Sequence, residues 1–124
     1  MSDVGAYIYR DNNHVPIPQA IQTLKATDSQ IAGVATATAA ALTNEKIVAT
    51  GIIASYSNAT QAGTITVKDG STTLFTIPFV GQFVLGNLSP GVFSSKDSAL
   101  SMALSAGAGG VTGAITFIYF SVLA

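Results

Sequence analysis

From residue 47 onward the strand pattern firms, and in several stretches apolar and polar residues alternate with a period of two. That is the spacing of a strand with one face in a core and the other outside it. Thr64-Ile65-Thr66-Val67-Lys68 is the plainest case, with Ile65 and Val67 on one side and Thr64, Thr66 and Lys68 on the other. Asp69-Gly70 follows, a pair that suits a tight hairpin because glycine takes the positive φ such turns need. Thr73-Leu74-Phe75-Thr76-Ile77 is the return strand. Residues 47–56 are β-branched and apolar on both faces, and residues 57–63 form a polar loop. Pro78 lacks an amide hydrogen and is predicted to end a strand or to sit at a sheet edge. Residues 79–85 form a further apolar strand, broken at Gly81, and Gly86-Asn87, Pro90-Gly91 and residues 94–97 are turns.

The closing stretch, residues 99–120, repeats the alternation twice. Leu100, Met102 and Leu104 share one face, with Ser101, Ala103 and Ser105 on the other. Small residues at 106–110 break the run, and Val111, Gly113, Ile115, Phe117 and Tyr119 then share a face. The pattern predicts a β-hairpin with a glycine-rich connection. In its second strand the opposite side is apolar as well, through Ile118, Phe120 and Val122. One face enters the core and the other needs cover, so these three residues are expected at an oligomer interface or beneath the N-terminal arm.

That arm is residues 1–30. Ala6-Tyr7-Ile8-Tyr9-Arg10 is a short apolar segment suited to join a sheet as an edge strand, and Asp11-Asn12-Asn13-His14 is turn chemistry. Val15-Pro16-Ile17-Pro18 is held extended by its prolines. Ile21 and Leu24, three apart, are compatible with a helical turn over residues 19–25. Such an arm either reaches to a neighbouring subunit or folds back on its own core. In residues 31–42 alanine favours helix, while the Val34-Ala35-Thr36-Ala37-Thr38 alternation favours strand; strand fits the β-rich remainder. About seven or eight short strands result, with turn signals about every 8–12 residues and no helix–strand alternation. The expected fold is all-β: an antiparallel β-sandwich, jelly-roll-like, over residues 31–124, with an extended N-terminal arm.

Composition sharpens this. The chain of 124 residues is enough for one core, and 9% of it is charged, against roughly 25% in a typical soluble domain. Charge normally coats exposed surface, so its scarcity points to self-association or docking on a larger assembly. A monomer coated with Ser, Thr, Asn and Gly is the alternative. The net charge is −1, and Arg10, Lys25, Lys46, Lys68 and Lys96 are scattered, so nothing favours nucleic acid or an anionic membrane as partner. There is no cysteine, hence no disulfide framework or thiolate metal site. Residues 1–5 carry neither the basic nor the apolar part of a secretory signal, so the protein is expected to be made in a cytoplasm, and to leave it only within a particle. Residues 111–124 are apolar but interrupted by Thr112, Gly113, Thr116 and Ser121, and fall short of the about 20 residues of a spanning helix.

Candidate chemistry is thin. His14 is the single histidine, and the carboxylates Asp3, Asp11, Asp28, Glu45, Asp69 and Asp97 fall almost entirely in predicted turns. A catalytic or metal site needs several such groups converging. Gly107-Ala108-Gly109-Gly110 precedes a strand and not a helix, so it reads as a connection and not a phosphate loop. Asn58-Ala59-Thr60 and Asn87-Leu88-Ser89 match the glycosylation pattern by chance. Tyr7, Tyr9, Tyr56 and Tyr119 are scattered, which favours packing over sugar stacking. No enzymatic activity, cofactor or metal is expected.

Several stretches carry a resemblance: Lys46-Ile47-Val48-Ala49-Thr50-Gly51-Ile52-Ile53-Ala54-Ser55-Tyr56, the hairpin Gly63-Thr64-Ile65-Thr66-Val67-Lys68-Asp69-Gly70, Ile77-Pro78-Phe79, Leu88-Ser89-Pro90-Gly91, and Leu104-Ser105-Ala106-Gly107-Ala108-Gly109-Gly110-Val111-Thr112-Gly113. Together they resemble small β-sandwich virion proteins of tailed bacteriophages, above all capsid decoration (cement) proteins. The resemblance implies a jelly-roll-like homotrimer on the capsid surface of the virion, at local threefold positions, bracing the major capsid protein without catalytic residues. Tyr7, Ile8 and Tyr9 of the arm are then expected to contact capsid or neighbouring subunit. The other reading is a tail-fibre or receptor-binding tip that holds carbohydrate with exposed loop tyrosines, such as Tyr56 in a groove beside Asn58.

Overall fold

The computed structural model describes residues 24–88 and 91–124 in full, and residues 9–10 and 16–17 by their backbone. Among the described residues every regular element is a strand. β1 (Tyr9–Arg10) pairs antiparallel with β2 (Pro16–Ile17). Tyr7 and Ile8 lie outside the described residues, and of Tyr9 only the backbone is placed.

Two antiparallel sheets form a sandwich. The four-stranded sheet runs β4 (Ala35–Ala39), β10 (Leu100–Leu104), β6 (Ala62–Asp69), β7 (Thr72–Val80). The other sheet runs β3 (Leu24–Ile31), β11 (Thr112–Leu123), β5 (Glu45–Tyr56), β8 (Gln82–Leu85), with β9 (Val92–Phe93) also pairing β5. The core lies between them. From one side come Ala35, Ala37, Ala39, Ile65, Val67, Leu100, Met102 and Leu104; from the other come Ile47, Ala49, Ile52, Ala54, Ile115 and Phe117. The alternating strands therefore place the residues their period predicts, and the Ala-Thr run is a strand whose alanines point inward.

The closing hairpin is overturned. β10 pairs with β4 and β6, whereas β11 pairs with β3 and β5, so the two strands sit in opposite sheets. Both present their apolar rows to the same core, and the segment after Leu104 carries the chain across the sandwich. Alternation reports which side of a strand is buried, not which strand lies at its edge. A connection of this length spans the about 10 Å between packed sheets as readily as it turns a hairpin.

Two further expectations change. Residues 24–25 do not turn as a helix; they open β3, which runs beside β11 from Leu24↔Tyr119 to Ile31↔Thr112. The sheet thus begins ahead of residue 31. The apolar run at 79–85 is divided between the sheets: β7 ends at Val80, Gly81 turns, and β8 joins β5. Gly81 has φ +73°, and a Cβ there would lie 2.4 Å from the Ala59 carbonyl oxygen, so the crossing requires glycine. The Asp69-Gly70 hairpin forms as expected, with Asp69 paired to Thr72 and Gly70 at φ +60°. Pro78 lies in β7, an edge strand, where a missing amide hydrogen is tolerated.

Candidate functional site

The two outer faces of the sandwich differ in chemistry. On the four-stranded sheet the register aligns Thr36, Ala103, Thr66 and Thr76 in one row and Thr38, Ser101, Lys68 and Thr73 in the next. Hydroxyls, which satisfy water, dominate that face.

The five-stranded sheet is the reverse. Val84 stands beside Ile53, and Ile53 beside Thr116. Two residues along, Gly51 lies against Ile118. There β5 carries one extra residue, Thr50, and the ladder resumes with Phe93, Val48 and Phe120 in line. Val122 pairs with Lys46, whose Nζ lies 5.1 Å from the centre of the Phe93 ring. Ile53 is 45% exposed, Val84 57% and Phe93 44%, while Ile118, Phe120 and Val122 are half-buried. The extra residue at Thr50 keeps both ends of β5 amphipathic in the right sense, since Ile47, Ala49, Ile52 and Ala54 all still reach the core.

The residues expected at an oligomer interface, Ile118, Phe120 and Val122, therefore sit on one outward apolar face, interrupted at Gly51 by the Leu85 and Gly86 carbonyls and at Val48, which is buried. Ile53, Val84 and Phe93 complete it and were not singled out from the sequence. The signal for Ile53 was present, since residues 47–56 are apolar on both faces. Val84 and Phe93 are added by pairing alone. Lys25, beside Ile118, and Lys46 are the charged residues on this face among the described strands.

The carboxylates serve structure. Asp28 accepts the Thr36 amide at 2.9 Å and the Gln30 side-chain amide at 3.4 Å, and these bonds hold its carboxyl below the ordinary value of 3.8. Asp69 accepts the hydroxyl and the amide of Ser95, and its carboxyl is likewise lowered. Asp97 accepts the amide of Asn44. Among the described residues no three His, Cys, Asp or Glu side chains group as a metal site would require; His14 lies outside them.

Tyr56 is 7% exposed. Its ring stacks on Phe79 with centroids 5.6 Å apart, and its hydroxyl donates to the Ser105 carbonyl at 2.7 Å. The phenol therefore faces inward and is not presented beside Asn58.

No protein-family model matches the chain, and no curated protein does. Among solved structures, the chain is similar to the CBM36-1 domain of a multidomain xylanase from the hindgut metagenome of Trinervitermes trinervoides. The alignment covers 96% of this chain and 88% of that one, at 14% identity and a TM-score of 0.38. An overlap that loose transfers no residue roles.

Proposed function

We propose that the chain is a non-catalytic structural protein that works by contact. It assembles through the outer face of its five-stranded sheet and, as the sequence resemblance implies, clads a phage capsid as a trimer seated on the major capsid protein. The observation that supports this reading is the apolar cluster of Ile53, Val84, Phe93, Ile118, Phe120 and Val122 on an outward face. A cluster of exposed and half-exposed apolar side chains on one outward face is a usual mark of a partner surface. The low charge content of the chain points the same way, because area burial and not ion pairing then supplies the affinity.

The carbohydrate-binding alternative uses exposed loop tyrosines and polar turns, and the inward phenol removes Tyr56 from that set. Sedimentation velocity at micromolar concentration tests the leading reading. The wild-type protein is expected to sediment as an oligomer and to pellet with purified capsids, while the double variant Ile53→Lys/Val84→Lys stays folded, monomeric and free. A wild-type protein that is a monomer and ignores capsids would overturn the reading.

A further inference from the structure

Three aspartates stand among the described residues, and each precedes a small residue: Asp28-Ser29, Asp69-Gly70 and Asp97-Ser98. In such pairs an aspartyl side chain reacts most readily with its own backbone, because a small following residue leaves the next nitrogen unscreened. Glycine, with no Cβ, screens it least. The fold treats all three carboxylates alike, for each accepts a backbone amide from another segment. Thr36 donates to Asp28 at 2.9 Å, Ser95 to Asp69 at 3.0 Å, and Asn44 to Asp97.

Asp69 is held most fully. Its Oδ1 accepts the Ser95 amide and its Oδ2 the Ser95 hydroxyl, so a single residue clasps both oxygens. The neighbouring nitrogen is held as well: Gly70 donates its amide hydrogen to the Ala99 carbonyl at 2.9 Å. Ser98 Oγ lies 3.1 Å from where a Cβ on Gly70 would stand. Burial does not protect the pair, since Gly70 and Ser95 are exposed and Asp69 is half-buried. Water reaches this turn, and hydrogen bonds alone fix its groups.

We propose that Asp69-Gly70 is a latent site of backbone isomerisation, kept shut by the Ser95 clasp. In the reaction the Gly70 nitrogen bonds to Asp69 Cγ. Its proton and the hydroxyl of the protonated side-chain carboxyl leave as water, which closes a succinimide ring. Water then adds to the ring carbonyl that came from the Asp69 backbone, and the bond from that carbon to the Gly70 nitrogen breaks. The main chain now runs through the former side chain, as isoaspartate. One water is lost and one gained, and nothing is oxidised or reduced. The clasp opposes the first step in two ways. It keeps Cγ from turning onto the nitrogen, and it favours the ionised carboxylate, which has no hydroxyl to lose. The product carries an extra methylene in the turn where Asp69 pairs with Thr72, so isomerisation would undo the register of β6 with β7.

Peptide mapping of isoaspartate in the full chain, aged at neutral pH, tests this. Losing one hydrogen bond to an ionised group shifts an equilibrium by about tenfold. Folded Ser95→Ala is expected to isomerise at Asp69 faster than the folded wild type by about that factor. The folded wild type is in turn expected to react at least about tenfold more slowly than the same chain in urea, where every clasp is lost. Asp28 and Asp97 in the Ser95→Ala sample are expected to keep their wild-type rates, which tells loss of this clasp from general loosening. Ser95→Cys, whose thiol is a weaker donor, makes the same comparison if Ser95→Ala does not fold. A folded wild type that reacts as fast as the chain in urea overturns the proposal. So does a folded Ser95 variant no faster than the wild type, or one in which all three aspartates speed up together.

Discussion

The phenol of Tyr56 bonds one sheet to the other. Tyr56 ends β5 in the five-stranded sheet, Ser105 follows β10 in the four-stranded sheet, and the hydroxyl spans the gap to the Ser105 carbonyl at 2.7 Å. The hydroxyl of Ser105 lies 3.1 Å from the same phenol and accepts the Thr64 amide at 2.9 Å. Gly63 makes room: a Cβ there would stand 1.9 Å from the Tyr56 hydroxyl oxygen. The ring, stacked on Phe79 and held at its hydroxyl, has little freedom to move aside.

Tyr56→Phe is therefore expected to lower stability by about 1 kcal/mol, the net value of one such bond. Gly63→Ala forces the whole ring to shift and is expected to cost more, about 1–3 kcal/mol. Urea unfolding of the two variants gives the order; a neutral Gly63→Ala would mean that the phenol is not held where it is drawn.

Phe117 is fully buried in the middle of β11 and meets Tyr119 with ring centroids 5.6 Å apart. Phe117→Ala is expected to cost about 3–5 kcal/mol, by lost transfer energy and a cavity. That is enough to unfold a domain of ordinary stability, and circular dichroism melting reads it.

Gly81 combines a positive φ with a close backbone neighbour. The neighbour is a carbonyl and not the flexible end of a side chain, so it yields only if the loop moves. Gly81→Ala is expected to cost at least about 2 kcal/mol. Gly86 has open space around its missing Cβ and an ordinary φ, and Gly86→Ala in the same melting series is expected to lie near the parent.

Asp28 and Asp69 both have carboxyls lowered by hydrogen bonds to the ionised form. A folded value below the unfolded one stabilises the protein at pH above the ordinary 3.8, and that contribution is lost as the pH falls through the folded values. Stability is thus expected to fall below about pH 4 and to stay flat with respect to these groups above pH 5. Asp69→Asn, which keeps one acceptor for Ser95, is expected to flatten the acid limb; an unchanged limb in pH-dependent urea titrations would show that Asp69 does not contribute.

Much of the candidate surface was legible beforehand. Ile118, Phe120 and Val122 stand out because β11 is apolar on both sides, and a strand in one layer of a sandwich can bury only one side in the core between the layers. The partners Val84 and Phe93 were not legible, because each belongs to a short segment whose neighbour is chosen by the fold. Pro78 was placed at a strand end or a sheet edge by its missing amide, and β7, which carries it, is an edge strand. Tyr56 shows the limit most plainly: a tyrosine next to a polar loop reads as exposed until Gly63 and Ser105 are seen to receive it.

Local chemistry alone determined the strands, their inward faces, the Asp69-Gly70 turn and the all-β class, because each follows from side-chain period and backbone preference over a few residues. Only the tertiary structure decided that β10 and β11 face each other across the core and do not lie edge to edge. The reason is physical. Burial is a property of a strand's face and is written in its alternation, whereas pairing is a choice among backbone edges that are chemically alike along every strand. That choice is settled jointly, when β4 and β6 take the edges of β10 while β3 and β5 take those of β11.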